Sequence, residues 1–210
     1  MSRISSHATL DALLQKLLAP QTASRRTAAR MLRKLKIKAT GPAVLSALKT
    51  EIREPGAEET PYQMIMALGE CGYGEALPFL RWMANSRPAS MLRVALGDAI
   101  VRLARTHEHD SSPLLEILSG PDREMIEGAF RAMAMQRMVL APDAMATILE
   151  FADYLPIDDP LRLWVAAAAA GWKGSGVRGF LDRCRQAPRE DVRRAAEASA
   201  AGKYLKWSPP

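Results

Sequence analysis

Apolar residues along most of the chain recur at intervals of three and four, which is the spacing of amphipathic helices. Residues 6–18 carry such a stripe of five leucines, and residues 92–103 carry another. Helix-breaking residues separate the stripes, as at Pro20 and at Gly41-Pro42. The pattern predicts twelve short helices that form about six antiparallel pairs.

One segment in the second half of the chain repeats the outline of a segment in the first half. Four small residues recur at a shift of 102 positions: Ala67, Gly69, Gly72 and Gly74 match Ala169, Gly171, Gly174 and Gly176. That shift is three units of 34, a period typical of helical solenoids. We therefore expect an all-α fold, an α-solenoid of helix pairs. We expect one domain over 1–210, with an ordered core at about 6–203 and a tail at 204–210.

Composition agrees with helices and with an intracellular protein. Aromatic residues are only 6% of the chain, whereas strands would be rich in aromatic and β-branched residues. The sequence has no apolar run of the roughly 20 residues that a membrane helix needs, and its N-terminus does not resemble a signal peptide. Cys71 and Cys184 lie in the two matching segments, and we expect both to be buried and reduced. These features favour a cytoplasmic location.

Charge is distributed unevenly along the chain. Residues 1–50 hold ten Lys or Arg and one acid, residues 51–160 hold nine basic and eighteen acidic residues, and residues 161–210 hold ten basic and four acidic residues. A protein that follows nucleic acid along its whole length would be basic throughout. The pattern favours a partner with an acidic or mixed-charge surface that meets the N-terminal end.

Two stretches resemble a known repeat family. Ala67-Leu68-Gly69 followed by Glu75-Ala76-Leu77 is similar to the turn of the short HEAT-like repeats first noted in phycobilisome lyases, and residues 26–32 (RTAARML) resemble the start of the family's second helix. The resemblance spans about 8–203 and is clearest in 60–105. It implies a helical superhelix that binds macromolecules in its concave face, and it implies no reaction.

The basic side chains supply the candidate binding residues. Three arginines at helical spacing share one side of the helix that follows Ser24, opposite a stripe that includes Met31 and Leu35. A second group, Arg93, Asp98, Arg102 and Arg105, lies on the helix that follows Ser90. A solvated face is the first interpretation of this group, and an extension of the same binding groove is the second. The predicted partner-binding residues are Arg26, Arg30, Arg33, Lys34, Arg93, Arg102 and Arg105.

Other chemistry receives little support from the residue pattern. His107 and His109 lie two residues apart in a loop, too few ligands for zinc, so we expect no metal and no cofactor. The glycines near Gly69 lack the order and the lysine of a phosphate loop and are better explained as left-handed helix caps. Trp82 lies on a helix that should pack, which favours a core position.

These observations predict a non-enzymatic protein-binding module, such as a scaffold, an assembly factor or an immunity protein. The alternative is a DNA- or RNA-binding repeat protein. Its enzymatic extreme would resemble the HEAT-like alkylpurine DNA glycosylases, which use tryptophans, an aspartate and basic residues in a concave groove. The sequence contains four tryptophans but no segment that matches the active-site motif of that family.

Overall fold

The computed structural model describes residues 2–53 and 58–205, with side chains from residue 9 onward. The described residues form α-helices and short 3₁₀ turns and contain no strand, which confirms the all-α prediction. The helices are α1 (Ser2–Lys16), α2 (Thr22–Leu35), α3 (Gly41–Glu51), α4 (Glu59–Cys71), α5 (Leu77–Asn85), α6 (Ser90–Ala104), α7 (Ser112–Leu118), α8 (Arg123–Met135), α9 (Pro142–Tyr154), α10 (Leu161–Ala168), α11 (Ser175–Cys184) and α12 (Glu190–Ala200).

The chain forms two compact units, Met1–Ala104 and Arg105–Pro210. The first unit contains α1–α6 and the second contains α7–α12. Each unit therefore holds three of the six predicted helix pairs. That the two units form one domain stays a prediction.

In the first unit the second helix of each pair forms a common layer. Helix α4 packs between α2 and α6, while α1, α3 and α5 pack on α2, α4 and α6 respectively. The sequence of α4 suits this central position, since every residue from Met64 to Gly69 is buried. Burial of apolar side chains against both neighbours is the main term that holds the layer together.

The second unit repeats this arrangement with its own helices. Helix α10 packs between α8 and α12, α7 packs on α8, and α11 contacts both α9 and α12. The alanine-rich sequence of α10 is buried almost throughout, and the centre of this unit also contains Phe130 and Phe180, which have no exposed surface. Small residues on α10 let the flanking helices come close.

The glycines of the repeated segment have three different roles. Gly72 ends α4 in a left-handed conformation with φ of 69°, which confirms the predicted cap at this position. Gly69 lies inside α4 against Ala99 of α6, and Gly171 faces the hydroxyl of Tyr204, so neither is a cap. Gly174 precedes α11 with φ of 126°, outside the left-handed helical region. The cap interpretation of the glycines near Gly69 is therefore right for Gly72 and wrong for Gly69 and for Gly74, which begins a 3₁₀ turn.

Replacement of Gly69 by alanine tests the close contact between α4 and α6. A Cβ on residue 69 would lie 2.8 Å from the Cα of Ala99, a backbone atom that cannot move alone. Although alanine favours a helix by about 1 kcal/mol, we expect Gly69→Ala to lower the free energy of unfolding by about 1–3 kcal/mol through overpacking. Urea denaturation measures this change.

Gly74→Ala is the matched control, because a Cβ there meets no heavy atom within 4 Å. It should leave stability unchanged or raise it slightly. Equal stability of the two variants would contradict the close packing of α4 on α6.

Candidate partner-binding surface on α2

Helix α2 carries most of the predicted binding residues, and its buried side sets their directions. Ala28, Ala29 and Leu32 are at most 1% exposed. These small and apolar residues lie at helical spacing and bring α2 against α1 and α4. The basic residues therefore occupy the two margins of this contact and the side of α2 away from it.

Arg25 belongs to the fold and contributes little to the surface. Its guanidinium donates to the carbonyls of Ala19 and Pro20 at 3.0 and 2.8 Å, and it forms an ion pair of 2.6 Å with Glu51. The side chain of Glu51 is only 5% exposed, so the pair compensates a charge that would otherwise be buried alone. Arg25 thereby holds the end of α1 and the end of α3 on α2.

Two residues of the predicted arginine row are bound to α4. Arg26 pairs with Glu59 in the first turn of α4. Arg33 donates from Nε to Glu70 Oε1 at 2.7 Å in the last turn, with side-chain exposures of 11% and 12%. The residue nearer the start of α2 pairs with the start of α4, and the residue nearer its end pairs with the end of α4. The two helices therefore run parallel to each other. Their charges are balanced within the unit, most completely at Arg33.

Arg30 and Lys34 differ from Arg26 and Arg33, because both are exposed and neither forms an ion pair with a described residue. Between and beside them on the helix lie Met31 and Leu35, which are 40% and 45% exposed. Arg30 and Lys34 are one turn apart, as are Met31 and Leu35, so the two pairs form adjacent rows that together cover an arc of about 140° on α2. We call Arg30, Met31, Lys34 and Leu35 the α2 open face.

The exposure of Met31 and Leu35 corrects the sequence-based picture of α2. Both were expected in the buried stripe with Ala28 and Leu32. In the structure, α2 lies at one end of the layer that α2, α4 and α6 form, so it has a neighbour from that layer, α4, on one flank only. The side of α2 that carries Met31 and Leu35 is away from this contact, and they remain partly exposed.

The predicted residues on α6 are also largely used by the fold. Arg102 pairs with Asp98 one turn earlier, and the Asp98 side chain has no exposed surface. This aspartate is therefore buried, and it does not belong to a solvated face. Arg93 is half-buried and donates to the hydroxyl of Ser90 at 3.2 Å.

Arg105 lies in the second unit and organises the loop before α7. It donates to the carbonyl of Asp110 at 3.1 Å and to the carbonyl of Glu108. Hydrogen bonds from Ser112, followed by those from Thr106, hold the pKa of Asp110 far below its usual value. In the described part of the chain, no three His, Cys, Asp or Glu side chains converge as metal ligands.

The two cysteines are buried thiols in non-equivalent positions. Cys71 is the last residue of α4, a second helix, whereas Cys184 is the last residue of α11, a first helix. The similarity of their places in the two matching segments does not hold. Burial raises the pKa of both thiols, which makes them poor nucleophiles.

The tryptophans also differ from the prediction. Trp82 is 57% exposed on α5, so its expected core position is wrong. Trp164 and Trp172 are buried in the second unit, where Trp172 donates from Nε1 to the carbonyl of Met138 at 2.8 Å. Trp207 lies outside the described residues.

Sequence reasoning missed the structural role of arginines near the start of second helices. Arg193 donates to the carbonyls of Ala187 and Pro188 at 2.8 and 2.7 Å. These acceptors precede it by six and five residues, the same offsets as the two carbonyls that Arg25 binds. Arg162, which is buried, donates to the carbonyls that end α9. A signal was present, since proline followed five positions later by arginine occurs at Pro20–Arg25, Pro88–Arg93 and Pro188–Arg193.

Comparison with known proteins gives no family assignment. No protein-family model matches the sequence, and no curated protein matches it. No helix in the described part of the chain combines the length and the apolar character that a bilayer crossing requires.

The division of the α2 arginines predicts different effects on stability. Arg33→Leu leaves Glu70 nearly buried with only Lys36, whose Nζ is 3.3 Å away, as a partner. We expect it to lower the free energy of unfolding by about 1–3 kcal/mol. Arg30→Leu should change it by less than about 0.5 kcal/mol. Chemical denaturation compares the two variants, and a larger loss for Arg30→Leu would contradict the assignment.

The lowered pKa of Asp110 predicts a dependence of stability on pH. Because the pKa is lower in the folded chain than in the unfolded chain, ionised Asp110 stabilises the fold above about pH 4, and this effect is lost as the pH falls below that value. Asp110→Asn should therefore be less stable than the wild type at pH 7, with a difference that shrinks in acid. Thermal unfolding from pH 7 to pH 3 measures it.

Asp158→Asn provides the control for this titration, because Asp158 is exposed and accepts no comparable set of hydrogen bonds among the described residues. Its stability should follow the wild type over the whole pH range. If Asp110→Asn were less stable than the wild type by the same amount at every pH, the charge of Asp110 would not contribute to stability.

Proposed function

We propose that this chain is a non-enzymatic protein-binding module built from HEAT-like helix pairs that continue as one α-solenoid. Its partner is a protein with an acidic surface, which the N-terminal helix pair captures while the face of the second helices supplies shape. Scaffold, assembly factor and immunity protein are the roles that fit such a module, and we expect it in the cytoplasm.

The observation that carries the proposal is the chemistry of the α2 open face. Arg30 and Lys34 place two exposed cations beside two partly exposed apolar side chains, Met31 and Leu35. Binding surfaces commonly combine apolar anchors with charged residues at the rim. An amphipathic helix with an apolar stripe flanked by Asp or Glu would match this arrangement.

The stacking of helix pairs supports the same conclusion. Within each unit the second helices pack into one layer, and in the first unit the ion pair of Arg33 with Glu70 also joins α2 to α4. A rigid surface binds with a smaller loss of conformational entropy than a flexible one. The apolar anchors should supply most of the affinity, at about 1.5–3 kcal/mol for each side chain that becomes fully buried. Each exposed cation should add about 0.2–1 kcal/mol and favour acidic partners.

Charge reversal on the α2 open face tests the proposal. The partner is first identified as the protein that co-purifies with the chain and cross-links to α2. Arg30→Glu with Lys34→Glu should then weaken its binding at least about tenfold, since two attractions become repulsions. Affinity is measured by isothermal titration calorimetry at 50 and 300 mM salt, and the effect should be smaller at high salt.

Arg178→Glu with Arg194→Glu changes the net charge by the same amount at exposed positions of the second unit. This control should bind like the wild type. Equal affinity of all three proteins would overturn the proposed surface, and equal weakening of both variants would show a non-specific charge effect. Arg26 is left unchanged because its pair with Glu59 belongs to the fold.

A further inference from the structure

A second exposed surface lies on α5 and α3 of the first unit. Trp82 is 57% exposed and stacks on Phe79, with ring centroids 5.3 Å apart and an interplanar angle of 25°. Lys49 of α3 places its Nζ 5.3 Å from the centroid of the Phe79 ring. Two aromatic rings and a cation thus form one cluster, which we call the Trp82 cluster (Lys49, Phe79 and Trp82).

The fold does not need the Trp82 ring. Leu80 and Met83 already anchor α5, with exposures of 0% and 3%. The second unit shows what a structural residue does at the matching position. The shift of 101 that relates Phe79 to Phe180 also relates Trp82 to Arg183, and Arg183 donates to Asp153 of α9 at 3.1 Å. Where the second unit joins two helices, the first unit presents an aromatic ring to solvent.

The charges around the Trp82 cluster are predominantly positive. Lys49 is exposed, and Arg53 follows it by one helical turn and is also exposed. Glu51 of α3 is paired with Arg25, and α5 contains no acid. Glu75, which precedes α5, keeps its charge and accepts a hydrogen bond from the hydroxyl of Tyr73 at 2.7 Å, so the two cations outnumber the one acid without an ion pair. The surface therefore attracts an anion.

We propose that the Trp82 cluster binds single-stranded nucleic acid. One unpaired base stacks on the exposed face of Trp82, and the adjacent phosphates contact Lys49 and Arg53. Aromatic platforms beside cations are the usual means by which proteins hold single strands without reading their sequence. This activity goes beyond the proposed capture of an acidic protein, and it depends on different helices, α3 and α5.

Single-stranded nucleic acid fits these observations better than the other anionic partners. An acidic peptide would use the cations but has no requirement for an exposed indole. A lipid surface needs a broad apolar face, whereas Trp82 is the one large apolar side chain of α3 and α5 that is more than about a third exposed. In a duplex the bases are stacked on one another and are not available to the ring.

Fluorescence anisotropy with a labelled 20-nucleotide oligothymidylate tests the proposal on the whole chain of 210 residues. The wild type should bind with an affinity that falls as salt rises. Trp82→Ala should weaken binding about 5- to 150-fold, the loss of one stacked base. Trp82→Phe should retain part of the affinity. Lys49→Gln should weaken binding and reduce the magnitude of the salt slope by about 0.7.

Tyr154→Ala is the matched control, since Tyr154 is an aromatic residue that is 84% exposed in the second unit. It should bind oligothymidylate like the wild type, and thermal unfolding of Trp82→Ala should show a folded protein. The duplex of this oligothymidylate with its complementary strand should bind more weakly than the single strand, and Trp82→Ala should not change the affinity for the duplex.

Three results would overturn the proposal. The first is no oligothymidylate binding at 50 mM salt. The second is equal affinity of Trp82→Ala and the wild type. The third is binding of polyglutamate, or of vesicles with 30% phosphatidylserine, that depends on Trp82 while oligothymidylate binding does not. The last result would assign the cluster to an acidic protein or to a membrane surface.

Discussion

The structure of the first unit depends on how closely α4 approaches its two neighbours. At Gly69 the backbone of α6 is so near that a single methyl group does not fit, and on the other flank α2 contributes Ala28 and Ala29. Helices packed at this distance place the polar residues at their margins within reach of one another. Arg33 and Glu70 form an ion pair for this reason, and their charges neutralise each other within the unit.

This contact separates the basic residues of one helix into two groups with different consequences. Arg25 and Arg33 satisfy buried carboxylates and, for Arg25, the carbonyls at the end of a helix. Replacing them should disturb folding before it disturbs binding. Arg30 and Lys34 have no such partner among the described residues, so they add charge to a partly apolar surface at little cost to stability. The side of α2 away from α4 is therefore the part of this helix that is open to a partner.

Local patterns predicted the helices well, because an apolar stripe depends on neighbours three and four residues away. The ion pairs could not be predicted in this way, since Arg33 and Glu70 are 37 residues apart in the sequence and meet only through the packing of α2 on α4. Met31 and Leu35 continue the same stripe as Leu32, and only the position of α2 on the side away from α4 leaves them exposed. Trp82 lies two residues from Leu80 and one from Met83, the buried residues of α5, so helical spacing agrees with its exposure.

A pair of double-mutant cycles tests directly whether packing neutralises the charge of Arg33 and leaves that of Arg30 available. Arg33→Leu and Arg30→Leu are each combined with Glu70→Gln, and the free energies of unfolding are measured by urea denaturation. We predict a coupling energy of about 0.5–3 kcal/mol between residues 33 and 70 and a value near zero between residues 30 and 70. Equal coupling in the two cycles, or none between residues 33 and 70, would show that Arg33 is not neutralised by Glu70.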